Sequence, residues 1–260
     1  MKLTLRIWRQ AGPRAAGHFV RYEVPYAVPE MSFLDLLDTL NERLVEQGES
    51  PIAFDSDCRE GICGACGVTI NGRPHGPQRK TTTCQLPLSA FADGEELTVE
   101  PLRAAAFPLV RDLCVDRSAL DRIVQAGGFI SVKTGSAPEA NSLPVAKPVA
   151  EAALDAAACI GCGACVAACP NGSASLFTAA KLRHLALLPQ GQPERARRAQ
   201  TMIAAMDEEG FAGCTTFGAC QRACPKDIHV DHIAAMNREH LLSVLRSPQK
   251  PHEKAREDAG

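Results

Sequence analysis

Apolar and polar positions alternate at the start of the chain. Leu3, Leu5 and Ile7 are separated by polar residues, and Val20, Tyr22 and Val24 repeat the pattern, which predicts two half-buried strands. After Ser32 the period changes, and Leu36, Leu37, Leu40 and Leu44 recur at helical spacing. Ser32 and Asp35 stand three apart at the start of that helix, as a variant capping box. Val68-Thr69-Ile70, an Asn71-Gly72 turn signal and a closing strand Leu97-Thr98-Val99-Glu100 follow. This order predicts a small sheet wrapped around one helix.

The second half lacks strand alternation. Residues 117–123, 194–206 and 233–245 have helical composition. Residues 134–149 are rich in Pro, Ser, Ala and Gly and read as a loop or extended strap. The expected division is a β-rich domain at 1–105, a linker at 106–150, a helical domain at 151–246 and a charged, fraying tail at 247–260.

Composition narrows the function. The chain has 260 residues, 45% hydrophobic and 22% charged, with net charge −2. That is enough for a core and gives no electrostatic reason to expect nucleic acid as a partner. The outlier is cysteine, at 12 residues. The start of the chain has no apolar signal region, so the thiols are expected in a reducing compartment, where such spacings read as metal sites. No apolar run reaches about 18 residues, so membrane association is expected only through a partner.

Cys58, Cys63 and Cys66 have the C-x4-C-x2-C spacing of plant-type [2Fe–2S] proteins, with Cys84 as the fourth ligand. Gly61, Gly64 and Gly67 let the backbone approach the sulfurs closely. The alternative is a structural zinc site, which usually brings paired C-x2-C knuckles. The basic stretch at 73–80 reads as an exposed, solvated hairpin extension.

Cys159-x2-Cys162-x2-Cys165-x3-Cys169-Pro170 is the bacterial ferredoxin run, whose fourth cysteine ligates the other cluster of a pair. Its partner run is Cys214-x5-Cys220-x3-Cys224-Pro225, with Phe217 where a further cysteine would stand. Cys159, Cys162, Cys165 and Cys224 then suffice for [4Fe–4S], while Cys169, Cys214 and Cys220 suggest [3Fe–4S]. The alternative is a labile [4Fe–4S] whose open iron takes water or substrate. An apolar Phe217 at that corner argues for a closed electron-transfer site.

Cys58-Arg-Glu-Gly-Ile-Cys-Gly-Ala-Cys66, Asn71-Gly72, Val110-Arg111-Asp112-Leu113-Cys114-Val115-Asp116 and both Cys-Pro runs together resemble the iron–sulfur subunit of succinate dehydrogenase and fumarate reductase. The resemblance spans roughly residues 3–245. It implies an α+β chain: an N-terminal β-grasp ferredoxin domain and a C-terminal all-α ferredoxin domain. It implies an electron relay between FAD on a separate flavoprotein subunit and a quinone near a membrane-anchor subunit. Neither FAD nor the dicarboxylate site would lie on this chain, and either direction of reaction is open. The implied location is peripheral, on the cytoplasmic face of a bacterial inner membrane.

Family correspondence puts Pro170, Thr215 and Phe217 near the quinone. Three departures stand out. The gap before Cys84 is long; the only Trp is Trp8, so Asn171-Gly172-Ser173 replaces the Trp after the first Cys-Pro; and Thr215 replaces a His. These fit variants whose anchor is one cytochrome b with two haem b groups, often paired with menaquinone.

Other classes fit less well. Molybdenum hydroxylases share the first loop, but their second domain holds another [2Fe–2S]. A thiol:fumarate or heterodisulfide-reductase-like subunit should carry a further Cys-rich domain after residue 247. A free ferredoxin is smaller and more acidic. Cys114 reads as a buried small hydrophobe, Arg195, Arg197 and Arg198 as a solvated helix face, and His184, His229 and His232 as ordinary histidines.

Overall fold

The computed structural model describes residues 1–246 apart from 134, 137, 138, 143 and 144. The first half is built from β1 (Leu3–Arg9), β2 (His18–Val24), α1 (Phe33–Glu46), β3 (Val68–Ile70), β4 (Arg73–Pro74) and β5 (Glu96–Pro101). They form one sheet in the order β2-β1-β5-β3-β4, in which β1 and β5 are parallel and the other pairs antiparallel. Leu5, Ile7, Ile70, Leu97 and Val99 are fully buried, in one core with Leu36, Leu37, Leu40 and Leu44 of α1. Each such side chain contributes about 1.5–3 kcal/mol by leaving water. This is the expected β-grasp: a mixed sheet closed around a helix.

Local signals act as read. The Ser32 hydroxyl accepts the Asp35 N–H at 3.1 Å, and Asp35 accepts the Ser32 N–H at 3.4 Å. Asn71 and Gly72 both have positive φ, 49° and 73°, as a two-residue hairpin turn between twisted strands requires.

Asp112 fixes the approach to the first cysteine loop. It is 2% exposed, and its carboxylate accepts the N–H of Gln10 at 2.8 Å and of Ala53 at 3.0 Å. It sits in the turn between β6 (Leu109–Arg111) and β7 (Cys114–Val115), a two-stranded ribbon.

The second half is helical: α2 (Ser118–Gln125), α3 (Lys147–Ala157), α4 (Ala164–Ala167), α5 (Ser175–Leu187), α6 (Arg195–Glu208), α7 (Ala219–Ala223) and α8 (Asp231–Arg246). The buried α5 packs against α3, α6 and α8. Residues 106–150 thus hold β6, β7, α2 and the start of α3, while 134–146 contain no helix or strand among the described residues. The tail at 247–260 lies outside the described residues. No helix among them is long and apolar enough to cross a membrane.

The basic stretch of α6 corrects its reading as a solvated face. Arg198 is 2% exposed and donates to the carbonyls of Gly127 (2.8 Å), Gly191 (2.9 Å) and Phe129 (3.0 Å). Arg195 pairs with Glu239 on α8. Only Arg197 of the three faces solvent.

Candidate metal centres

The first cysteine loop lies between α1 and β3, and Cys84 comes from a short turn after β4. Cys58, Cys63, Cys66 and Cys84 converge: Cys58 interacts with Cys63, and Cys66 with both Cys63 and Cys84. Backbone donors surround the outer sulfurs. Glu60 and Ile62 donate to Cys58 Sγ at 3.3 and 3.4 Å, and Ala65 to Cys63 Sγ at 3.4 Å. These amides, Ile62 first, lower the Cys58 thiol to about 7. Cys66 and Cys84 are buried against Leu34 and Phe54, and burial pushes the Cys66 thiol up to about 12. The Thr82 hydroxyl lies 3.2 Å from Cys84 Sγ. Gly61 has φ +71°, a conformation that L side chains rarely adopt, and a Cβ there would have to displace the Gln85 amide, whose Oε1 lies 2.2 Å away.

The extension at 73–80 is not a free hairpin. Pro74, His75 and Gly76 are buried, and His75 Nδ1 accepts the Thr83 N–H at 3.2 Å. Burial drives its imidazole down to about 4, with Arg117 adding repulsion. Further along, Lys80 Nζ reaches Asp227 Oδ2 at 2.7 Å, which ties the extension to the turn after Cys224.

Cys159, Cys162, Cys165 and Cys224 line one pocket, walled by Ile160, Phe177, Pro225 and Ile228. Burial raises all four thiols, Cys162 to about 12. Ile228 N–H donates to Cys224 Sγ at 3.4 Å. The remaining three form a second group: Cys220 feels Cys169 and Cys214, and Thr216 N–H donates to Cys214 Sγ at 3.3 Å. Helices α4 and α7 pack together, and each is entered through a left-handed glycine, Gly163 or Gly218. The fourth cysteine of each run thus lies with the other run, the crossed grouping that the spacing implies.

Cys114 joins no group. It is half-buried on β7, with its thiol pushed up to about 12 by burial and by Asp55. Among the described residues, no three His, Cys, Asp or Glu side chains close tightly enough for one metal ion. Buried sulfur with N–H donors beside it fits an iron–sulfide core, whose irons stabilise thiolates that apolar walls alone would not.

Residues 4–122 match the family of 2Fe-2S iron-sulfur cluster binding domains, and residues 155–228 that of 4Fe-4S dicluster domains. The chain is 30% identical over 251 residues to the succinate dehydrogenase iron-sulfur subunit of Bacillus subtilis, covering 93% of each. It belongs to that family of iron–sulfur subunits. It is also 29% identical over 256 residues to the fumarate reductase iron-sulfur subunit of Wolinella succinogenes, covering 93% of this chain and 98% of that one. Its fold matches a chain of the Mycobacterium smegmatis Sdh1 complex in the apo form, with TM-score 0.68, 24% identity and coverage of 96% and 98%.

Within this iron–sulfur subunit, Pro170, Thr215 and Phe217 are all exposed around the three-cysteine group. Asn171 Nδ2 donates to Thr215 Oγ1 at 2.9 Å and to the Gly213 carbonyl at 3.1 Å, which holds the two Cys runs together there. Phe217 is 62% exposed. It is therefore not packed as cover over the three-cysteine group; it lies exposed on the loop between Cys214 and α7.

Sequence reasoning does not find Arg117. It precedes α2, stands apart from every cysteine spacing, and reaches both cysteine loops. No local pattern could single it out, because its partners are backbone carbonyls distant in sequence.

Proposed function

We propose that this subunit relays electrons between a flavin-bearing partner and a membrane quinone, in succinate oxidation or in its reversal as fumarate reduction. In this reading Cys58, Cys63, Cys66 and Cys84 hold [2Fe–2S]. Cys159, Cys162, Cys165 and Cys224 hold [4Fe–4S], and Cys169, Cys214 and Cys220 hold [3Fe–4S]. Such clusters accept and release single electrons, with potentials set by charge, hydrogen bonds to sulfur and exposure. The protein's part is to supply N–H donors at Cys58, Cys63, Cys214 and Cys224, keep the inner thiols dry, and hold the groups in series.

The observation that carries this reading is the crossed grouping of seven cysteines beside a separate group of four. Exposed apolar residues support a partner-bound state: Phe217, and Leu241 and Leu245 one turn apart on α8. Pro170, Thr215 and Phe217 would lie nearest the quinone. Thr215 and the absence of a second Trp favour a cytochrome b anchor with two haem b groups and menaquinone. The subunit would sit peripherally on the cytoplasmic face of the membrane, with FAD confined to the flavoprotein.

The test is to purify the complex through this subunit. It should bring a flavoprotein and a membrane anchor, contain roughly nine irons per relay chain, and reduce quinone with succinate. Cys169→Ser should abolish quinone reduction. Roughly four irons, or purification without a flavoprotein, overturns the reading.

A further inference from the structure

We propose that Arg117 is a positioning residue that clamps the first cysteine loop to the second and so sets the electron path between them. The functional half of this inference rests on the relay reading above. The geometric half does not.

The Arg117 guanidinium donates from Nη1 to the carbonyls of Gly64 (2.5 Å) and Cys162 (2.9 Å), and from Nη2 to that of Ala65 (3.4 Å). Gly64 and Ala65 separate Cys63 from Cys66 in the first loop, and Cys162 belongs to the four-cysteine pocket of the second. One planar cation therefore gathers carbonyl oxygens from both loops, which would otherwise repel one another as converging negative dipole ends.

A Cβ on Gly163 would lie 3.4 Å from Arg117 Cδ, so the arginine stem passes over that residue. All three acceptors are neutral carbonyls, and among the described residues no carboxylate forms an ion pair with Arg117. The guanidinium thus does two separable things. It fixes the spacing of two thiolate-bearing loops, and it places a positive charge between them. The transfer served moves one electron from one cluster site to the next and makes or breaks no bond. Its rate falls steeply with separation.

The test uses Arg117→Gln and Arg117→Lys in the purified full-length complex. It reads backbone amide exchange at 59–66 and 159–165, the magnetic interaction between the two reduced clusters, and their potentials. In Arg117→Gln, exchange should quicken about tenfold in both loops together, because charge-assisted bonds are lost. The magnetic interaction should weaken, and both potentials should move negative. In Arg117→Lys the charge stays, so the potentials should hold. An ammonium cannot span three carbonyls, so exchange and magnetic interaction should still change.

Unchanged exchange in Arg117→Gln, or a change confined to one loop, overturns the clamp. Should Arg117→Gln not accumulate, Arg117→Lys alone decides by the same exchange measurement. A wild-type complex lacking the iron–sulfur content would defeat the relay reading instead, while exchange still reports on the clamp.

Discussion

A Cβ added to Gly64 would stand 2.5 Å from the carbonyl oxygen of Ile160. The two halves of the molecule therefore meet backbone to backbone at the loops that carry their cysteines. Gly64 also has φ +76°, a region that L side chains rarely adopt. Gly64→Ala should lower stability by about 1–3 kcal/mol from backbone strain alone. It should lose more by separating the halves. Gly72→Ala is the control, since Gly72 shares the positive φ (+73°) but has nothing within 4 Å of its added Cβ. Calorimetry should show the larger loss for Gly64→Ala, and equal losses would remove any weight from the contact.

Phe217 is exposed beside the three-cysteine group, so a smaller polar side chain fits there without a cavity. Phe217→Cys should supply the missing thiolate. Iron content should rise by about one per chain, and the signal of an oxidised three-iron cluster should vanish. An undiminished signal would sink the ligand assignment.

His75 gives an acid-sensitive contribution. Its ordinary value is 6.5, and burial holds it at about 4 in the fold. Between those values the unfolded chain binds a proton that the folded chain does not. Stability is therefore full above about 6.5 and falls as pH drops towards about 4, by roughly 3 kcal/mol in all. His75→Gln should flatten that limb in urea titrations followed by circular dichroism at pH 7 and pH 5. A limb as steep as wild type would point to another group.

Arg198→Met should be among the most damaging changes away from the cysteines. It keeps the stem but leaves the carbonyls of Gly127, Phe129 and Gly191, the last of them buried, without the donor that Arg198 supplies from a buried position. The expected cost is about 3 kcal/mol or more. Proteolysis should then find the segment after α2 accessible, and unaltered resistance there would refute the role.

How much of this was legible in the chain depends on the range of each interaction. β1, β2 and α1 carry strict periods, and Ser32 with Asp35 is a local capping device; all four signals match the structure. Helix α5 carries no clear stripe, because most of its residues, Ser175 and Thr178 as well as the apolar ones, are buried and only Lys181, Arg183 and His184 break the run, so its burial weakens the signal that amphipathic helices give. The spacing of the cysteine runs is itself local, so their grouping in space could be expected from the chain. Arg117 and His75 were not legible, since their burial depends on Gly64, Cys162 and Thr83, whose nearness only the tertiary fold creates. Phe217 misleads for the opposite reason: an apolar type implies cover, while the loop it occupies faces outward.

The crossing of the two cysteine runs also orders the protein's birth. Residues 58–84 complete the first group early in synthesis. The four-cysteine pocket stays one thiol short until Cys224 leaves the ribosome, whatever the state of residues 159–165. A metal core there would then close a chain loop of about 60 residues, and the longer the loop, the more it restricts the unfolded chain. On the proposed ligand set, the helical half would be filled only after translation of both runs, and would resist unravelling once filled.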